Sequence, residues 1–140
     1  MFVGTYEHSL DGKGRVVLPV SFRNALPSGY LSQYQGAVGL WTADEFKQMS
    51  DRLIARARAG EIHQNAVRAF AADASEVRPD TQGRIMVPPH LREYAGLDLE
   101  AEVAIIGAID RIELWNADTW RATHAEATSS YRAAVDDHGI

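Results

Sequence analysis

The chain has 140 residues, 46% hydrophobic and 24% charged, with a formal net charge of -5. That size suits one compact domain or two small units sharing a core, and the acidic balance means that any nucleic-acid surface has to be local. The absence of cysteine excludes disulfides and thiolate chemistry.

In chain order, Tyr6, His8 and Leu10 alternate with Glu7 and Ser9, the period of a strand. Asp11-Gly12-Lys13-Gly14 supplies turn chemistry, because Asp bonds the backbone ahead of it and Gly permits positive φ. Arg15 to Leu18 has strong β character, and Pro19, which has no N–H donor, ends that strand. A short helix is expected over Ser21 to Leu26, broken by Pro27-Ser28-Gly29. Strands follow at Tyr30 to Tyr34 and Ala37 to Trp41, around Gln35-Gly36. Thr42 and Glu45 have capping-box spacing and open a helix whose apolar face is Phe46, Met49, Leu53 and Ile54, with Gly60 as its stop. A second helical stretch runs from about Ile62 to Ala71.

The same pattern then returns. Glu76-Val77-Arg78 reads as strand, Asp80 to Gly83 as turn, Arg84 to Val87 as strand, and a helix begins near Pro89. Strands are expected at Glu102 to Ile106 and Arg111 to Trp115, with a turn near Gly107 to Asp110. A last helix begins near Ala117, and the polar end, Asp136 to Gly139, is expected to fray. The longest apolar stretch, Val103 to Ile109, is too short to span a bilayer, and no signal peptide is visible, so a cytoplasmic protein without membrane association is expected.

The repetition is an internal duplication. Asp11, Gly14, Arg15 and Pro19 recur as Asp80, Gly83, Arg84 and Pro88 at one constant offset, and Phe22-Arg23 recurs as Leu91-Arg92. Leu40-Trp41-Thr42-Ala43-Asp44 recurs as Leu114-Trp115-Asn116-Ala117-Asp118 at a slightly larger offset. Two matched blocks in one order indicate a duplicated unit. Each unit alone would hold a marginal core, so the two are expected to pair, with hairpins exchanged between them to close a barrel and remove free edges.

The Asp-x-x-x-Arg pairs carry the chemistry. One reading is structural: Asp11 and Asp80 organise their turns and staple them to Arg15 and Arg84. The other is functional. An arginine beside a Gly-rich turn suits phosphate, or a guanine edge through two parallel bonds, and a β-hairpin fits the DNA major groove. Asp would then hold the guanidinium in place. The first tip carries Lys13 and the second Gln82, so the copies need not contribute equally.

These residues resemble the MraZ family of bacterial regulators, relatives of the AbrB swapped-hairpin transcription factors. The likeness rests on Met1-Phe2-Val3-Gly4, the block Leu10 to Arg15 with Leu18-Pro19, Asp73 to Glu76, the block Asp80 to Arg84 with Pro88, and Ile112-Glu113-Leu114-Trp115. It covers the chain to about Arg121. The resemblance implies an α+β fold of two pseudo-symmetric swapped-hairpin β-barrel units, each followed by helices. The expected division is residues 1–50 and 74–121 as the two repeats, 51–73 as a helical connector, and 122–140 as a C-terminal helix and tail. It also implies a ring-shaped homo-oligomer that binds tandem direct repeats of double-stranded DNA in the promoter of its own cell-division and cell-wall operon, at the nucleoid. The DNA-binding residues would be Lys13, Arg15, Gln82 and Arg84, with Asp11, Gly14, Asp80 and Gly83 organising the loops.

Rival readings have less behind them. Arg52, Arg56, Arg58 and Arg68 form a basic run, but charge on an amphipathic helix is ordinarily a solvated face. The five histidines, His8, His63, His90, His124 and His138, show no ligand pair at helical spacing, and Gly12-x-Gly14 lacks the rest of a phosphate-loop motif. No metal, cofactor, small-molecule substrate or catalytic residue is expected. Trp41, Trp115 and Trp120 could stack on bases, but their repeat-matched places before helices favour packing. The alternative to a DNA-binding regulator is an oligomeric scaffold or protein-interaction module whose Asp–Arg pairs are purely structural.

Overall fold

The computed structural model describes all residues, Met1–Ile140, as an α+β fold. The first repeat holds β1 (Phe2–Ser9), β2 (Arg15–Val17), α1 (Val20–Asn24), β3 (Gly29–Tyr34), β4 (Ala37–Trp41) and α2 (Ala43–Arg58). After α3 (Gln64–Asp73), the second repeat holds β5 (Ser75–Val77), β6 (Arg84–Met86), α4 (Pro89–Ala95), β7 (Glu102–Ile109), β8 (Ile112–Asn116) and α5 (Ala117–His138).

The strands interleave the repeats. A six-stranded antiparallel sheet has the order β1-β7-β8-β4-β3-β5, and β2 pairs with β6 in a separate two-stranded ribbon. The first strand of each repeat therefore lies on the middle hairpin of the other: β1 on β7, and β5 on β3. The two hairpins join at the centre, where Val38 faces Leu114 and Leu40 faces Ile112. The sheet does not close on itself; β1 and β5 are its edges.

One constraint on β1 is steric. Gly4 faces Gly107 in the register. A Cβ on Gly107 would run into the backbone of Phe2 and Val3, so the long first strand can lie this close only over glycine.

A single hydrophobic cluster spans both halves. Val16 and Ile85, Leu18 and Val87, and Phe22 and Leu91 are matched pairs from the duplication, and all six are buried in it. The ribbon faces this cluster with Val16 and Ile85 while Val17 and Met86 point outward, the alternation that a pleated strand dictates. Burying each such side chain contributes about 1.5–3 kcal/mol. Neither half could assemble this core alone, since each contributes half of the ribbon and half of the cluster.

The helices follow their caps. Thr42 Oγ1 accepts from the Glu45 N–H at 3.2 Å, and Asn116 Oδ1 accepts from the Thr119 N–H at 3.0 Å. α3 starts at Gln64 rather than at Ile62, because the His63 ring accepts from the Asn65 N–H and caps it there. β7 continues past Gly107 to Ile109, so its turn is shorter than the sequence predicts and lies at Asp110 and Arg111. α5 runs to His138, and Gly139 closes it in the left-handed conformation, donating to the Val135 carbonyl at 2.9 Å. α2 runs unbroken across residue 50, so the first repeat and its connector share a helix.

Because Ile85 packs where the two repeats meet, Ile85→Ala should lower unfolding free energy by about 2–5 kcal/mol, in line with large-to-small changes in cores. Chemical denaturation checks this, and the loss should appear in one cooperative transition rather than in one repeat.

Candidate nucleic-acid interface

The ribbon ends in two turns built on one plan. In the first, Asp11 Oδ1 accepts from the backbone N–H groups of Lys13, at 2.9 Å, and Arg15, at 2.8 Å. Asp11 Oδ2 accepts from Arg15 Nε at 2.8 Å. In the second, Asp80 Oδ1 accepts from Gln82 N and Arg84 N, both at 2.9 Å, and Oδ2 accepts from Arg84 Nε at 2.8 Å. The Gly14 and Gly83 N–H groups donate to the carbonyls of Asp11 and Asp80. Both glycines have left-handed φ, 81° and 77°, which the tight reversal requires.

The turns are also joined to each other. Leu18 N–H donates to the Gly83 carbonyl at 2.9 Å, and Val87 N–H donates to the Gly14 carbonyl at 2.8 Å. Arg15 pairs with Met86 and Val17 with Arg84, so the two signature arginines sit at opposite ends of a three-residue antiparallel ribbon. Strand rise and spacing put their Cα atoms about 8 Å apart.

The clamp leaves something over. Each guanidinium spends Nε on its aspartate and makes no protein hydrogen bond through Nη1 or Nη2. The Arg15 and Arg84 side chains are 31% and 26% exposed. Each therefore presents two unpartnered donor groups with the plane of the fork fixed by Asp. That arrangement suits a phosphate or a guanine edge, which accept two parallel bonds. The carboxylate folds the turn with one oxygen and holds the arginine with the other.

The Asp11 carboxyl is held below its ordinary range chiefly by the Arg15 backbone N–H, with help from Lys13 N–H and the Arg15 side chain, against an opposing effect of burial. Asp80 is lowered in the same way, chiefly by the Arg84 backbone N–H.

Two arginines that the sequence reading matched but did not place in the site also lie here. Arg23, on α1, crosses over Gly83; a Cβ there would come within 2.7 Å of its Cδ and Cζ. Arg92, on α4, lies over Gly14, within 3.2 Å of such a Cβ, and its Nε donates to the Val87 carbonyl at 3.0 Å. The signal was the recurrence of Phe-Arg as Leu-Arg in the duplication; what sequence lacked was that each helix crosses to the other turn.

Other sequence candidates fall elsewhere. Arg56 pairs with Glu61 at 2.7 Å, and Arg68 donates to Asn65 on its own helix, so the basic run is partly spent locally. Trp41 is buried with its indole N–H on Ser32, while Trp115 and Trp120 pack against each other. No group of three metal-ligating side chains converges, and no helix is long and apolar enough to cross a membrane.

A family model described as "MraZ protein, putative antitoxin-like" matches residues 1–68 and 70–138, one match for each repeat. The chain is 34% identical over 139 residues to a protein of Micrococcus luteus named transcriptional regulator MraZ, covering 98% of this chain and 96% of the relative. A Corynebacterium glutamicum protein of the same name is 37% identical over 139 residues, with 98% and 96% covered. A Clavibacter michiganensis one is 39% identical over 122 residues, with 86% and 84% covered.

Both depressed aspartates fix the sign of a pH effect. Their stabilising contribution should be complete above the ordinary aspartate pKa of 3.8 and fade as pH falls through the lower folded values. The Asp11 and Asp80 carboxyl carbon shifts, followed by NMR, should stay those of the ionised form at pH 5 and titrate with midpoints below 3.8.

Proposed function

The chain belongs to the MraZ family, and on that premise we propose that it is a transcriptional regulator whose two Asp–Arg turns bind double-stranded DNA. The observation that carries this reading is the pair of unpartnered Nη edges on Arg15 and Arg84, each fixed through Nε by an aspartate. A guanidinium held only as a structural staple would have no reason to leave its bidentate face toward solvent at both ends of one ribbon. Lys13 adds a charge at the first tip, and Gln82 adds an amide at the second.

The ligand is a set of direct repeats in the promoter of the chain's own operon, engaged by several copies in a ring. One ribbon offers two small contacts, each of modest affinity. Linking copies converts later contacts into intramolecular ones, which multiplies affinity without new chemistry. Ring assembly also reconciles binding with a net charge of -5, because acidic surface can face away from DNA while the turns face it. The exchange of strands between repeats supports reading each half as a swapped-hairpin unit of AbrB type, with the exchange serving to place both turns on one rigid ribbon. A regulator acting on DNA of this kind works in the cytoplasm at the nucleoid, with no chemical step to catalyse.

Arg15→Ala should reduce binding to the DNA upstream of the protein's own gene by at least tenfold in a gel shift, with fold and oligomer intact. Undiminished binding together with a lowered melting temperature would instead identify the Asp–Arg pairs as staples of a scaffold.

A further inference from the structure

We propose that Arg23 and Arg92 are phosphate-contacting residues, each completing the DNA loop of the opposite repeat. This rests on the DNA reading of the turns and extends it to two residues outside the Asp-x-x-x-Arg signature.

The geometry is reciprocal. Arg23 follows β2 in the first repeat but lies over Gly83 of the second turn, with Nη1 donating to the Gln82 carbonyl at 3.4 Å. Arg92 follows β6 in the second repeat but lies over Gly14 of the first turn, with Nε on the Val87 carbonyl. Each turn thus carries a cis arginine, aimed by its own aspartate, and a crossing arginine laid over its glycine. At Gly83 a Cβ would collide with the crossing side chain, and at Gly14 it would crowd it.

These cations are not consumed by the protein. Neither Arg23 nor Arg92 makes an ion pair, whereas Arg15, Arg56, Arg84, Arg111 and Arg121 all do. Both are half-buried, anchored by a single bond to a main-chain carbonyl. Both Nη groups of Arg92, and Nη2 of Arg23, have no protein partner. Acidic neighbours exist: Glu100 flanks Gly12, and Glu93 and Asp98 share a shallow groove with Arg92. None is within ion-pair distance of either guanidinium. A full positive charge without a counter-ion, beside a turn whose own arginine offers a free fork, is matched by the anion that repeats along a duplex. Phosphates fix register and bases set specificity, so the crossing arginines would position the loop while Arg15 and Arg84 read it.

The arrangement also sharpens the inequality of the two loops. The first offers Lys13, Arg15 and Arg92, the second Arg84 and Arg23 with an uncharged Gln82. Arg92 should therefore matter more when Lys13 is removed than when it is present.

The test uses the full-length chain, with fluorescence anisotropy on DNA upstream of its own gene and on a scrambled duplex, over a range of salt. Arg92→Ala and Arg23→Ala should each weaken binding about tenfold at low salt, equally for both duplexes, as loss of a charge-assisted bond implies. The slope of log affinity against log salt should become shallower by about one for each loop engaged. Arg92→Lys should restore the slope, since it keeps the charge. A wild-type salt slope in both alanine variants would overturn the proposal, including where melting temperature falls, because a mere brace changes stability and not counter-ion release. Arg15→Ala separates the two ideas: normal binding by that variant sinks the DNA reading of the turns itself, while lost binding beside wild-type slopes for the crossing variants sinks only this inference.

Discussion

Everything in the candidate site depends on how one carboxylate divides its two oxygens. Asp11 and Asp80 each give one oxygen to the backbone of a Gly-containing turn and the other to Nε of the arginine four residues on. The first bond set fixes where the chain reverses, and therefore where the ribbon strand begins. The second fixes the plane of the guanidinium. Folding the loop and orienting the guanidinium are therefore one event, set by the same Asp-to-Arg spacing in both copies. An exposed ion pair of this kind contributes little to stability by itself. Its value lies in orientation, since a preorganised fork loses less conformational freedom when it meets an anion.

The clamp works only because the ribbon beneath it is rigid. β2 and β6 are three residues each, too short to be stable as an isolated hairpin. They are held by the shared core under Val16 and Ile85 and by the reciprocal bonds from Leu18 and Val87 to the turn glycines. Duplication supplies this. Each repeat provides one strand, one turn and one crossing arginine, and the partner repeat provides what each lacks. Two marginal units thereby become one body that carries both Asp–Arg turns on one ribbon.

Much of this was legible in sequence for a physical reason. Turn chemistry is local: Asp11-Gly12-Lys13-Gly14 and Asp80 to Gly83 announce themselves by residue type, and Arg15 and Arg84 follow at a fixed distance. Strand character over Arg15 to Leu18 and Arg84 to Val87 was legible in the same way, but with consecutive apolar residues in both stretches the inward face was not. Contacts between repeats were not legible, because period and propensity say nothing about which strand pairs with which. An exchange between repeats was expected, but its result is an open sheet with β1 and β5 at the edges rather than a closed circuit. Arg23 and Arg92 escaped notice on the same ground: they look like the basic ends of short amphipathic helices until the fold lays each over the other repeat's glycine. At the C-terminus the polar composition of Asp136 to Gly139 hides the left-handed cap at Gly139.

The central claim is that geometry, and not charge alone, makes Arg15 a DNA contact. Arg15→Lys tests it most directly, by measuring affinity for the upstream DNA at fixed ionic strength. Lysine keeps the positive charge but has neither an Nε to be held by Asp11 nor a planar fork to present. The variant should fold and assemble normally and still bind at least tenfold more weakly than the wild type. Affinity equal to wild type would show that a point charge suffices, and the aspartate clamp would then have no part in recognition.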